Sequence, residues 1–244
     1  PGLVQKLYYD ENVYRITKGS HSFKEITQTG LECIGDIDSY DICEVLTLAA
    51  RSLETISDNY ILDLCDAALT QVILEDVSDD PIVRQKALGL IRSKNADEIK
   101  FMGQKGEISE KGCQLLLCLT RNYKDADELR ENVLNLSENE TVLSALDGFA
   151  ALFRTLKNIG VTDNIRIDFS IVDDIKYYSG IVFKGYIETV PSTVLSGGQY
   201  DNLMKKMGKN SKAIGFAVYL DVLDRLGKQE SEYDYDFVLV KDKN

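Results

Sequence analysis

The sequence predicts an α+β fold, an antiparallel sheet core with flanking helices and a helical insertion. Three observations carry that expectation. Strand patterns fill the chain from residue 3 to 35 and return from Asn164. The stretch from Asp76 to Gly160 reads as helix, with no strand signal of comparable strength. Further helical patterns follow each strand group, so strands at both ends enclose the helices rather than alternating with them. At 244 residues the chain is long enough for one large domain or for a core with an inserted subdomain.

"LYY" and "VYRIT" flank the polar turn "DEN", and the strand "FKEITQTGLECIG" follows the loop Lys18-Gly19-Ser20-His21. "DSYDICEVLTLAARSLETI" has an acidic start and Ser39 as candidate N-cap. Its apolar residues Ile42, Val45, Leu46, Ala49 and Leu53 have helical spacing. Asp80-Pro81 is an N-cap with proline at the first helical position. Ser137-x-x-Glu140 is a capping-box pattern ahead of a helix whose stripe is Val142, Leu146, Phe149, Phe153 and Leu156, stopped by Gly160. "IRIDFSIV" alternates, "YYSGIVFKGYIE" is a second strand, and "TVLSGGQYD" runs into a glycine turn. "AIGFAVYLDVLDRLG" passes from apolar strand to helix with Gly227 as its stop, and "YDYDFVLVKDKN" begins another alternating strand. The expected organisation is a core in two parts, 1–75 and 161–228, with the helical insertion and return helix at 76–160. Residues 229–244 are expected to form a linker and the start of a truncated C-terminal segment.

Composition narrows the function classes. The net charge of −12, from 28 basic and 40 acidic residues, opposes non-specific binding to nucleic acid or to anionic membranes, although a local basic cleft is still allowed. There is no signal-peptide pattern and no apolar run long enough to span a bilayer, so a cytoplasmic protein is expected. The five cysteines include no C-x-x-C, and Cys113 and Cys118 lie in the apolar run "CQLLLCL"; core thiols are expected, not a zinc site. With His21 as the one histidine, multi-histidine metal sites are excluded.

Residues able to carry chemistry are few. On a strand, Gln28, Gly30 and Glu32 point to one face, about 13 Å end to end at roughly 3.3 Å per residue. A glycine between an amide and a carboxylate leaves room for a polar, partly cationic ligand to approach the sheet. The same alternation also suits the solvent side of an antiparallel sheet, and the strand alone favours that plainer reading. "SGGQYDNL" lacks both the Walker lysine and the G-x-G-x-x-G spacing, so a tight turn between strand and helix is the favoured reading over a phosphate loop. "YYSG" alone is an ordinary strand pattern.

In combination these segments resemble the catalytic core of histidyl-tRNA synthetases. "VYRITKGSHSFKEITQTGLECIG" is similar to class II motif 2 and its sequel, "DDIKYYSGIVFKG" to the histidine-specific R-G-L-D-Y-Y-x-G-x-x-F segment, "SGGQYDNL" to G-G-R-Y-D, and "AIGFAVYLDVLDRL" to motif 3. They come in the family's order from about Leu7 to Gly227. The resemblance implies a class II aminoacyl-tRNA synthetase-like sheet and a histidine pocket. In that pocket Gln28 meets the α-amino group, Glu32, Tyr177 and Tyr178 enclose the imidazole, Arg15 is the retained motif 2 arginine, and Gly197, Gly198 and Tyr200 form a turn at its border.

The departures from the family concern catalysis. Asp173 stands where the family has an activating arginine. Val222 stands at the arginine of a G-F-x-x-G-x-x-R frame, and Thr17 replaces an acidic partner of Arg15. Adenylate formation needs fixed positive charge on the phosphates, and an aspartate at one such position reverses the local field. A pocket that keeps amino-acid contacts and loses phosphate contacts resembles that of the regulatory subunits of ATP phosphoribosyltransferase, paralogues of the synthetase. What that resemblance implies is a non-catalytic subunit without cofactor. It would support the short-form catalytic subunit at the first step of histidine biosynthesis and contribute to feedback inhibition by histidine. A homodimer follows if a preceding segment carrying motif 1 is present. A histidyl-tRNA synthetase core that activates histidine with ATP, and a paralogue acting only as a protein-interaction module, are the alternatives.

Overall fold

The computed structural model describes residues 3–16, 23–172 and 178–225. Its strands form one eight-stranded sheet, β1 (Gln5–Ile16), β2 (Phe23–Gly35), β3 (Tyr60–Asp66), β4 (Asn122–Tyr123), β5 (Ile165–Asp168), β6 (Ile181–Ile187), β7 (Val190–Gln199) and β8 (Lys212–Tyr219), in the spatial order β1-β2-β8-β7-β6-β3-β5-β4. Each adjacent pair is antiparallel except β3 with β5. The expected α+β class with an antiparallel core is the observed one.

Local sequence accounts for most of the elements. Strand β2 coincides with "FKEITQTGLECIG". Helix α1 (Ser39–Ile56) buries Val45, Leu46, Ala49 and Leu53, as the spacing predicts. Its cap, however, is Asp38, which accepts from the Tyr40 and Asp41 amides, while the Asp41 carboxylate accepts from the Asp38 amide. A carboxylate one residue earlier thus displaces Ser39 from the cap. Helix α2 (Ala67–Val77) follows, then α3 (Pro81–Arg92), which Asp80 caps by accepting from the Ile82 amide, with proline at its first position. Next come α4 (Ala96–Gln104), α5 (Glu110–Leu119), α6 (Ala126–Leu134) and α7 (Glu140–Ile159). Helix α7 buries the predicted stripe and ends at Gly160 in the left-handed region, φ 81°. Its cap is Asn139, not Ser137, whose hydroxyl instead donates to Asp76. A short helix α8 (Asp201–Lys206) follows β7.

Beyond the two caps, four further expectations are corrected. "DEN" is no turn: Asp10, Glu11 and Asn12 pair with Thr29, Gln28 and Thr27 inside a continuous β1. On an exposed edge strand polar side chains cost nothing in burial, and Asn12 donates to Glu25 across the pair. Gly197 and Gly198 are no turn either, since β7 runs through them to Gln199. "LDVLDR" is a 3₁₀ turn, not an α-helix, and Gly227 lies outside the described residues. A two-residue strand, β4, interrupts the helical middle to pair with β5. Strand β3 and helix α2 are elements that the sequence reading leaves unassigned. Residues 233–244 also lie outside the described residues.

Helices α1 and α2 pack on one face of the sheet, and α7 packs against both of them. One continuous apolar core joins Leu46 and Leu53 of α1, Leu69 and Ile73 of α2, and Phe149 and Phe153 of α7 to Leu62, Leu64, Phe183, Ile214 and Phe216 of the sheet. All five cysteines are buried and free, as expected of core thiols, and burial raises the pKa of each. Because side chains alternate along a strand, the neighbours of those core residues point to the opposite face, which is buried around Cys65 and Val182 and open over β2, β7 and β8, where the candidate site lies.

Candidate functional site: a polar cleft on the open face of the sheet

On the open face, β2 presents Gln28, Gly30 and Glu32, and the register sets them opposite Tyr219, Ala217 and Gly215 of β8. Ser196 and Gly198 of β7 in turn lie opposite Ala217 and Gly215. Apart from Gly30, these residues line, with Tyr9, Tyr178 and Tyr200, a cleft of about 230 Å³. That is below the ~300–1,000 Å³ of pockets for drug-sized ligands and suits an amino-acid-sized one.

The polar groups are unequally satisfied. Gln28 is 8% exposed; its Nε2 donates to the Tyr9 hydroxyl at 3.3 Å, and its Oε1, buried, has no hydrogen-bond partner. A buried acceptor left unmade costs about 1–3 kcal/mol, so the cleft is poised for a donor. Burial raises the pKa of Glu32, and the hydroxyl of Tyr200, donating to its Oε2, offsets only part of that rise. A carboxylate held this way accepts from a cationic or N–H-bearing ring. Tyr9 reaches the cleft because Gly30, its partner in register, has no side chain: a Cβ there would lie 2.5 Å from the Tyr9 hydroxyl.

The two adjacent glycines serve opposite faces. A Cβ on Gly198 would stand 2.7 Å from the ring of Tyr178, so this glycine admits that ring to the cleft. A Cβ on Gly197 would stand 2.6 Å from Phe183 and from Phe216, whose rings meet edge to face at 6.3 Å on the core side. Gly197 therefore borders the cleft only with its backbone.

The segment carrying Tyr178 is tied down by groups that sequence reasoning missed. Gln199 accepts the Ser179 amide with its carbonyl and the Ile181 amide with Oε1. The Ser179 hydroxyl accepts the Asp201 amide, and the Gly180 carbonyl accepts the Ala67 amide. Tyr9, Ser196 and Tyr219 were missed as well. Of these, Tyr9 carries a local signal, its alternation with Leu7 and Glu11, once the polar triplet is read as strand.

Of the candidate residues, the fold thus brings together Gln28, Glu32, Tyr178, Gly197, Gly198 and Tyr200. Arg15 lies in β1 opposite Lys24, past the Glu11–Gln28 pair. Tyr177 and Asp173 lie outside the described residues. Val222 sits in the 3₁₀ turn Leu220–Arg225, packed against the apolar core, and the neighbouring Asp221 carboxylate accepts from Lys24 at 2.9 Å. Among the described residues no group of three or more His, Cys, Asp or Glu is placed to hold a metal.

Away from the cleft, β3 and β5 carry an ion-pair row. Arg166 donates twice to Asp63, at 2.7 and 2.8 Å, and Lys94 donates to Asp168 at 2.6 Å. Burial lifts the pKa of Asp63 despite Arg166. For Asp168, burial works upward but the bonds from Lys94 and Ser170 prevail, and its pKa is lowered.

Comparison with known proteins identifies the family of this fold. The family model described as histidyl-tRNA synthetase matches residues 2–223. An ATP phosphoribosyltransferase regulatory subunit from Clostridium botulinum (strain Langeland) is 32% identical over 236 residues, covering 93% of this chain and 54% of the relative. The chain spans about half the length of the curated relatives it matches. A crystal structure described as an ATP phosphoribosyltransferase regulatory subunit/histidyl-tRNA synthetase from Bacillus halodurans superposes with TM-score 0.79 at 25% identity, covering 92% of this chain and 59% of that one. The ATP phosphoribosyl transferase (HisG:HisZ) complex from Thermotoga maritima contains a chain with the same fold, TM-score 0.69 at 22% identity over 90% of this chain and 74% of that one. With a synthetase-like sheet, a synthetase-like order of motifs and a family model matched along nearly its whole length, the chain belongs to the histidyl-tRNA synthetase family.

Proposed function

We propose that the protein is a non-catalytic regulatory subunit of ATP phosphoribosyltransferase whose cleft binds free histidine as effector. In this reading the imidazole lies against Glu32 and Tyr178, with Tyr177 completing the enclosure. The α-ammonium group donates to Gln28 Oε1, and Arg15 is the candidate partner of the carboxylate. The observation that carries the reading is the buried, unpartnered Gln28 Oε1 two strand positions from Gly30 and four from Glu32 on one face. Such an array asks for a ligand with donors at both ends. The names of the relatives support the pathway. Val222 packs apolar surface where the synthetase frame carries an arginine, and Asp221 adds negative charge beside it. Both disfavour nucleotide phosphates at that corner.

The partner in this reading is the short-form catalytic subunit, in a cytoplasmic hetero-oligomer, with a second copy of the chain as a further partner if motif 1 is present. No helix among the described residues is long and apolar enough to cross a membrane. Histidine inhibits such an assembly only if it binds the inhibited state more tightly than the active one.

Calorimetric titration with L-histidine, alone and in the presence of the catalytic subunit, tests the site. Heat that disappears in Glu32→Ala is expected, and no heat in either setting overturns the assignment. Reconstitution tests the role, with phosphoribosyl transfer by the catalytic subunit expected to rise on addition of this protein. Histidine-dependent exchange between ATP and pyrophosphate would instead make it a synthetase.

A further inference from the structure

Tyr219 has no role in the reading above, yet it occupies a decisive place. In the frame G-F-x-x-G-x-x-R laid on Gly215 to Val222, it stands at the second glycine. The register sets Tyr219 opposite Gln28 and Gly215 opposite Glu32. A ligand with its ring at Glu32 and its ammonium at Gln28 therefore runs along β8 from Gly215 toward Tyr219. Its α-carbon end arrives where the tyrosine begins. The tyrosine side chain does not stand away from the sheet. Its hydroxyl lies 2.7 Å from Ser196 Oγ on β7, so the ring leans across the Ala217–Ser196 pair and walls the cleft at that end.

We propose that Tyr219, braced by Ser196, sets the length limit of the cleft. The site accepts an amino acid whose α-carboxylate is free and refuses one whose carboxyl is extended by an ester, amide or acyl-phosphate linkage. The proposal rests on the histidine reading of the same cleft. Its physical basis is the small volume, about 230 Å³, with a tyrosine ring occupying the space that any extension from the carboxyl would need. Added atoms against a packed wall are rejected by about tenfold to a hundredfold. The absence of adenylate chemistry then has a steric cause independent of the missing arginines.

The test is calorimetric titration with L-histidine and with L-histidine β-naphthylamide, on the parent protein and on Tyr219→Phe, Tyr219→Val and Tyr219→Ala. Thermal melting identifies the variants that fold, and the valine variant, a good strand former, serves if the alanine variant does not. The parent and Tyr219→Phe should bind histidine and discriminate against the naphthylamide by at least about tenfold. The shortened side chains should lose most of that discrimination, read as the ratio of the two affinities within each variant so that any change in histidine affinity itself cancels. Unchanged discrimination in folded Tyr219→Ala or Tyr219→Val, with histidine still bound, overturns the length limit alone. A parent protein that takes both ligands equally also overturns it, whereas one that binds no histidine overturns the underlying reading as well.

Discussion

Replacing Gly215 by alanine probes the cleft and the sheet together, because this glycine lies where β8 passes closest to both. An added Cβ would stand 2.0 Å from Glu32 Oε2 and 2.5 Å from the Leu31 carbonyl oxygen, against 3.4 Å at the onset of ordinary contact. The carboxylate can swing away, but the Leu31 oxygen is backbone and can retreat only if β2 and β8 part in mid-ladder. Overpacking of this kind costs about 1–3 kcal/mol. The displaced Glu32 also loses its place over the cleft. A hydrogen bond to a charged group is worth about 1.5–3 kcal/mol, so histidine affinity should fall by roughly tenfold to a hundredfold. Gly148→Ala is the matched control. It lies on the exposed side of α7 with nothing within 4 Å of its Cβ, and alanine in mid-helix should stabilise by about 0.5–1 kcal/mol. Urea unfolding at constant m-value reads the stability and calorimetry reads the binding. If Gly215→Ala unfolds within about 0.5 kcal/mol of the parent, as an unconstrained surface site would, and binds histidine undiminished, the packing argument fails.

Three further outcomes follow from the charges and caps. Histidine binding should weaken as pH falls through the raised pKa of Glu32, and Tyr200→Phe, by removing the donor that lowers that pKa, should move the loss to higher pH. An unshifted pH profile in the variant would dissociate Tyr200 from the carboxylate. Arg166→Met leaves Asp63, 2% exposed, without its bidentate partner and should cost about 3 kcal/mol in urea unfolding, the lower end for breaking a buried pair because Arg166 is itself partly exposed. Since the folded pKa of Asp63 is already raised, its protonated form is favoured in the fold, so the penalty should be largest at neutral pH and shrink as pH falls; a flat pH dependence would refute this. Asp80→Ala removes the acceptor of the Ile82 amide at the start of α3 and should cost about 1 kcal/mol, read as a lowered urea midpoint.

What was legible in the sequence divides by distance along the chain. The face shared by Gln28, Gly30 and Glu32 follows from a period of two within five residues, and the α7 stripe from local spacing, so both stand in the structure as read. The cap residues slipped by one or two positions, because several polar side chains compete for the same free amides and only the backbone geometry decides among them. Strand β3 has a different obscurity. "YILDLCD" places Asp63 in mid-strand, which argues against burial until Arg166, 103 residues later, is known to neutralise it. The same holds for the cleft: Tyr9 and Tyr219 enter it through cross-strand register with Gly30 and Gln28, and nothing within either segment announces that register.

Gly197-Gly198 shows why a local rule failed there. Two glycines in succession weaken a strand and suggest a turn, and that reasoning holds for an isolated segment. In the sheet, Phe183 and Phe216 from both neighbouring strands converge over the first glycine, while Tyr178 lies over the second. Each missing Cβ is thus demanded by rings that arrive from elsewhere in the chain, one layer for packing and the other for the cleft. The position beyond them is filled on the same logic: Gln199 ties down the Tyr178 segment and Tyr200 holds Glu32. A stretch that reads as loop punctuation is therefore a strand on which the core and the wall of the cleft are fixed back to back. Its geometry can shift on neither face without disturbing the other.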